Sequence, residues 1–226
     1  MDYVPESRFG DWFQGTDVWR RYVVEVAIAE LVSLLPETGR SVTSVLDVGC
    51  GGGVAFERLL AEFPAAQLTG IDISPKLVGL AQRTAEDMKR VRVQQADATR
   101  LPLATGSVDL VLCHQLLHHA SDPPGVVEEL RRVLAPQGWL LVAESCRYFL
   151  DWWPVRLLFR HPSREQLTAQ GYAALLRAGG FEVGPSKILT PAPWWSLPDL
   201  GVSARLGRSP LDRPATQVRI AALRGV

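Results

Sequence analysis

Short apolar runs, each roughly four to six residues long, recur in this sequence at intervals of roughly 20 to 30 residues, and the stretches between them carry helical periodicity. Val45-Leu46-Asp47-Val48 is the first run. Residues 68–73 form the second, 91–96 alternate as a third, Val108-Asp109-Leu110-Val111-Leu112-Cys113 is the fourth and 139–143 the fifth. Runs this short and this apolar suit strands covered on both faces. The intervening segments have their own stops and starts. Val23, Val26, Ala27, Leu31 and Leu34 recur at helical spacing over 16–35, and Pro36 and Gly39 end that run; 54–62 reads as the next helix. Ser74-Pro75 and Asp122-Pro123-Pro124 each pair a capping side chain with a proline at the first helical position. The second of these helices closes at Pro136 and Gly138. Thr168 or Ser163 caps a further helix that runs to Gly179-Gly180. Residues 181–183 and 187–189 belong to a sixth strand and 216–223 to a seventh. The pattern predicts an α/β domain: a seven-stranded, mainly parallel sheet with helices on both faces and a last strand running antiparallel. Residues 1–40 read as an N-terminal lid and helix, and 41–226 as the core of what is one domain overall.

Composition removes several function classes. Of the 226 residues, 47% are apolar and 21% charged, with Lys+Arg and Asp+Glu both 24, so no global basic field draws the chain to nucleic acid. Cys50, Cys113 and Cys146 are too few and too odd in number for a disulfide framework, which predicts a reducing, cytoplasmic setting. Cys113 and Cys146 lack a nearby third thiol, so no metal site is expected from them. The first residues carry neither a basic nor an apolar leader pattern. No uncharged apolar run reaches the roughly 18 residues of a membrane span.

In sheets of this kind ligands bind beyond the carboxyl ends of the strands, where the strand order reverses. The residues at those ends are informative here. Asp47-Val48-Gly49-Cys50-Gly51-Gly52-Gly53 follows the first strand, and its glycines let backbone approach a ligand closely. A third glycine at dinucleotide spacing is missing, since Val54 or Phe56 stands there, and no Lys-Ser/Thr pair marks a phosphate loop. Asp47 itself would repel a pyrophosphate and suits a cationic or amino-bearing ligand. Asp72 ends the second strand, where a carboxylate suits ribose hydroxyls, and Asp97 ends the third, where it suits an exocyclic amine.

These segments resemble the class I S-adenosylmethionine (SAM) dependent methyltransferases. The stretch 45–53 is similar to that family's first motif, Gly70-Ile71-Asp72-Ile73-Ser74 to the next, and Gln95-Ala96-Asp97-Ala98 with Leu101-Pro102 to its adenine motif. The stretch from Asp109 through His118-His119 and the run from Leu130 to Trp139 resemble the fourth motif and the approach to strand five. The resemblance covers roughly residues 40–189 and implies SAM as cofactor and S-adenosylhomocysteine (SAH) as product. It implies a cofactor turn at Gly49, Cys50 and Gly51, with Asp47 on the amino group and Asp72 on the ribose. It further implies that Ile73 packs on adenine, that Asp97 and the Ala98 amide read the adenine edge, and that the backbone near His114 helps hold the amino group.

The acceptor leaves weaker marks. Cys113-His114-Gln115 is not the motif with which nucleic-acid amino-methylating enzymes hold a flipped base, which again argues against DNA. His114, His118 and His119 are candidates to receive the acceptor's proton, with Glu144 and Tyr148 beside them; in related enzymes one histidine of this region simply packs. Arg20 or Arg21 is a candidate partner for a carboxylate. Aromatic residues crowd three segments: Tyr3, Phe9, Trp12, Phe13, Trp19 and Tyr22; then Tyr148, Phe149, Trp152, Trp153 and Phe159; then Trp194 and Trp195. The N-terminal and post-strand-five groups are expected to form a lid over an apolar or aromatic small molecule. The alternative is that the rings bury one another. Residues 148–161, with Arg147, Arg156 and Arg160, leave peripheral contact with a membrane surface open. A SAM-binding partner module without transferase activity, and less readily a nicotinamide-dependent oxidoreductase, remain rival readings. Both monomer and homodimer are compatible with the sequence.

Overall fold

The computed structural model describes residues 7–36, 41–161, 166–197, 202 and 214–225. Tyr3, Gly39 and Ser163, singled out above, lie outside them. The apolar runs pair as strands β1 (Ser44–Val48), β2 (Gln67–Asp72), β3 (Val91–Gln95), β4 (Val108–His114) and β5 (Leu134–Ser145). β6 (Phe181–Glu182), β7 (Ile188–Leu189) and β8 (Gln217–Arg224) complete the sheet. The order is β3-β2-β1-β4-β5-β8-β6, with β7 also on β8. The first five strands are parallel, while β8 runs antiparallel to β5, β6 and β7. Strand order reverses between β1 and β4, so the crevice for a ligand opens above their carboxyl ends.

Because successive strand residues face opposite sides, each buried run feeds two layers. Leu110 and Leu112 of β4 join Val45, Leu141 and Ala221 under α3 (Glu25–Ser33) and α4 (Phe56–Glu62). Val111 and Cys113 face the other way, with Leu46, Val48, Val142 and Ile220, under α6 (Pro123–Val133) and α9 (Ala169–Ala178). Two further helices precede α3: α1 (Arg8–Gln14) and the short α2 (Asp17–Trp19), which continues through a π-helical turn, Arg20–Val24, into α3. α5 (Pro75–Thr84) follows β2, and α7 (Arg147–Leu150) and α8 (Trp153–Leu158) form the segment after β5. The anticipated caps form: Ser74 accepts from the Leu77 amide, Asp122 from Gly125 and Thr168 from Gly171.

Two details differ from expectation. The single sixth strand is two, because Pro185, which has no amide hydrogen to give to a ladder, opens a 3-10 turn (Pro185–Lys187) between β6 and β7. β5 begins at Leu134, directly after α6. Its pairing jumps from Val108↔Leu134 to Leu110↔Trp139, so the turn expected at Pro136 and Gly138 is an excursion within the strand, with Gln137 at φ 64°.

Candidate functional site

The glycine turn after β1 is tacked to β2. The Gly49 and Cys50 amides both donate to the Ile71 carbonyl, at 2.7 and 3.0 Å, and the Gly51 amide donates to Asp72 Oδ2 at 3.0 Å. This path needs φ of +72° at Gly49 and +53° at Gly51, which L side chains rarely adopt. A Cβ on Gly51 would meet no atom within 4 Å, so its face is open to the cavity.

Three acids stand around that opening in different states. Asp47 is 2% exposed and its Oδ2 meets no donor; burial first, and the charge of Asp72 second, push its carboxyl up to about 7. Asp72 is held through Oδ1 by the Ser74 amide at 2.9 Å and through Oδ2 by Gly51; burial raises its pKa while these amides oppose the rise. Asp97 accepts through Oδ1 from the Thr99 amide at 2.8 Å and hydroxyl at 2.7 Å. The structure brings all nine residues of the expected cofactor set, Asp47, Gly49, Cys50, Gly51, Asp72, Ile73, Asp97, Ala98 and His114, to the lining of one cavity. A buried carboxylate with an unfilled oxygen at the base of an open glycine turn fits a ligand with an ammonium group. An anionic one would leave that acid more poorly placed than water does.

The histidines divide. His114 lines the cavity, half-buried, with its Nε2 buried and unpartnered; desolvation, then the nearby Arg219 charge, lowers its pKa to about 3, which favours the neutral imidazole. His118 does not line the cavity. Its Nδ1 lies 2.5 Å from Oε2 of Glu144, whose Oε1 accepts from the Leu116 and Leu117 amides at 2.9 and 2.6 Å. Glu144, 0% exposed and engaged through both oxygens, is thus a structural anchor for the loop after β4. His119 lines the cavity. Sequence reasoning missed Gln14, Gln115 and Leu116 on the same wall; Gln115, at φ 54°, is fixed by its amide on the Ala143 carbonyl and its Oε1 on Ser145.

Of the aromatic residues named above that the structure describes, Trp19 alone lines this cavity, with its ring edge-on to His114 at 6.0 Å. Trp12, Tyr22, Trp153 and Trp194 are exposed, Tyr148 and Trp152 line a second cavity beside Cys146 and Thr168, and Trp195 sets its edge against Phe149. The N-terminal and post-β5 segments do meet, through Phe9 and Phe13 against Phe159, at 5.6 and 6.2 Å. Trp153 and Leu157 on α8 are 71% and 75% exposed. No described helix is long and apolar enough to cross a membrane. Arg20 is engaged by Asp17 and Glu25 at 2.9 and 2.8 Å. All three cysteines are buried free thiols, and burial pushes Cys146 up to about 12.

Comparison with known proteins adds lineage to this geometry. Residues 46–142 match the family model described as a methyltransferase domain. A ubiquinone biosynthesis O-methyltransferase from Albidiferax ferrireducens is 36% identical over 110 residues, 47% of this chain and 42% of that protein. A trans-aconitate 2-methyltransferase from Deinococcus radiodurans is 31% identical over 175 residues, 75% of this chain and 61% of the relative. The chain thus spans well under two thirds of the first curated relatives it matches, from 30% to 42% of their length. A SAM-dependent methyltransferase from Aquifex aeolicus shares the fold at a TM-score of 0.64 and 17% identity, covering 94% of this chain and 95% of that one.

Proposed function

We propose that this chain, which matches a methyltransferase domain over residues 46–142, is a class I SAM-dependent methyltransferase that uses SAM as its cofactor and transfers a methyl group to an apolar or aromatic small molecule. Asp47 carries the reading: a buried acid with an unfilled oxygen, in one cavity with Asp72 and Asp97, asks for an amino-bearing nucleoside. In this proposal Asp47 receives the ammonium group, Gly49, Cys50 and Gly51 give it room, and the backbone near His114 helps hold it, the neutral imidazole adding no charge. Asp72 takes the ribose hydroxyls, Ile73 packs on the adenine, and Asp97 with the Ala98 amide reads its edge. When bound, the cofactor supplies an electrophilic methyl on a sulfonium, so transfer depends on alignment and on exclusion of water. Trp19, Val24, Leu116 and Val126 give the remaining wall an apolar face, which favours an apolar acceptor. Relatives whose names cite ubiquinone biosynthesis and trans-aconitate support a small-molecule acceptor. With His118 held on Glu144 and His114 too weak a base to keep a proton, the acceptor's reacting atom is handled at the His119 end of the cavity.

Calorimetric titration with SAH, SAM and NADH tests the assignment. Binding of the two adenosyl ligands at roughly micromolar Kd, with none of NADH, is the expected outcome. Folded protein that binds neither adenosyl ligand overturns it. Turnover on a panel of phenols, quinols and small carboxylic acids then identifies the acceptor class.

A further inference from the structure

Three of the four histidines of this chain converge outside the cofactor set. His118 and His119 come from the loop after β4, and His161 from the end of the segment that follows α8. Their ring centres lie 4.2 Å (His118–His119), 5.4 Å (His118–His161) and 5.2 Å (His119–His161) apart. One ring nitrogen from each falls within 4.8 Å of the other two. Around a tetrahedral zinc ion with bonds of about 2.0–2.1 Å, such nitrogens lie about 3.3 Å apart, so modest side-chain rotation closes the set.

We propose that His118, His119 and His161 form a binding site for a zinc-type divalent transition-metal ion beside the cofactor cavity. Three independent features agree. The donor set is all imidazole, which suits zinc and its first-row neighbours and not magnesium or calcium. Glu144 grips Nδ1 of His118 at 2.5 Å and is itself pinned by the Leu116 and Leu117 amides, the carboxylate–imidazole arrangement that orients a metal-bound ring through its far nitrogen. Three protein ligands leave a fourth position, and His119 also lines the cavity, so an oxygen of a bound acceptor is the natural fourth ligand. That last assignment rests on the methyl-transfer reading; ion binding itself does not. It makes oxygen-bearing acceptors the favoured class.

The test uses the full chain, free of any affinity tag and stripped of metal with a chelator. Calorimetry with zinc chloride is expected to show one ion per chain with Kd below about 10 µM, magnesium chloride no binding, and cobalt(II) a tetrahedral visible spectrum. His161→Ala should weaken zinc binding at least tenfold and abolish the cobalt spectrum while leaving SAH affinity within about twofold. If His161→Ala does not fold, His161→Gln serves in its place, with circular dichroism as the check. Absence of zinc binding to the folded wild-type protein, or undiminished binding in the His161 variant, overturns the proposal. SAH binding without zinc binding sinks this site and leaves the transferase reading standing, and zinc binding without SAH binding does the reverse.

Discussion

Asp47 and Glu144 are both buried carboxylates at strand ends, and they differ in what surrounds them. Asp47 waits with an open oxygen and a pKa near 7, whereas Glu144 is filled by two amides and an imidazole. The sign of the pH effect follows for Asp47. An acid whose folded pKa exceeds its unfolded value binds more protons folded than unfolded, so ligand-free stability falls as pH rises from the usual carboxylate range through about 7. Asp47→Asn should remove that slope, gaining a few kcal/mol above pH 7 in melts followed without ligand. The same variant should lose at least about tenfold in SAH affinity by calorimetry, because a charge-assisted bond becomes a neutral one. Stability and binding move in opposite directions in this one substitution. For Glu144→Ala no such exchange exists: two amides and His118 lose their partner in a dry site, and urea unfolding should show a loss of about 3–5 kcal/mol.

Phe56 shows how an element can be set by residues with no side chain. Its ring fills the space above Gly53 and Gly70, where an added Cβ would come within 2.6 Å of it in each case. That contact holds the start of α4 against β2 and so holds the glycine turn between them. Gly70→Ala should cost about 1–3 kcal/mol in denaturant unfolding, and Phe56→Leu in the same chain should return part of it, a coupling that a double-mutant cycle reads directly. Gly70 also shows the limit of sequence reading. That Gly70 lies within a short strand was legible, as were the five parallel strands, the proline-led caps and the acids at three strand ends, because period and turn chemistry are local. The phenylalanine it accommodates was not, nor was the meeting of His161 with His118 and His119, which has no spacing to betray it. The aromatic residues are hard to place from sequence for a related reason. A ring in a polar segment looks the same in sequence whether it lines a cavity, as Trp19 does, packs on Phe159, as Phe9 and Phe13 do, or stands exposed, as Trp153 does. The π-helical turn Arg20–Val24, which sits directly after Trp19, likewise leaves no mark in the apolar periodicity.

At the scale of the molecule, an ion pair buried on its arginine side ties the N-terminal helical segment to β8. Arg219 in the middle of β8, its side chain 3% exposed, donates from Nε to Glu30 of α3 at 3.1 Å and from a terminal nitrogen to Gln217 Oε1 at 2.6 Å. Burial lowers the Arg219 pKa, and Glu30 opposes that shift. Glu30→Ala should cost about 1–3 kcal/mol, less than a wholly buried pair would, since Glu30 is 31% exposed and water can take part of its place. Thermal melts of the variant with and without saturating SAH would show whether the loss reaches the cavity wall that Trp19 and Val24 supply. The placing of β8 has a consequence for how such a chain comes into being. Strands β1 to β5 can pair as they emerge from the ribosome, but β5 keeps one edge of bare amides and carbonyls until residues 217–224 are synthesised, because its remaining neighbour comes last. The nascent chain therefore carries a sticky, half-finished sheet from the synthesis of β5 until residues 217–224 are made, and β6 and β7 have nothing to pair with until β8 arrives between them and β5.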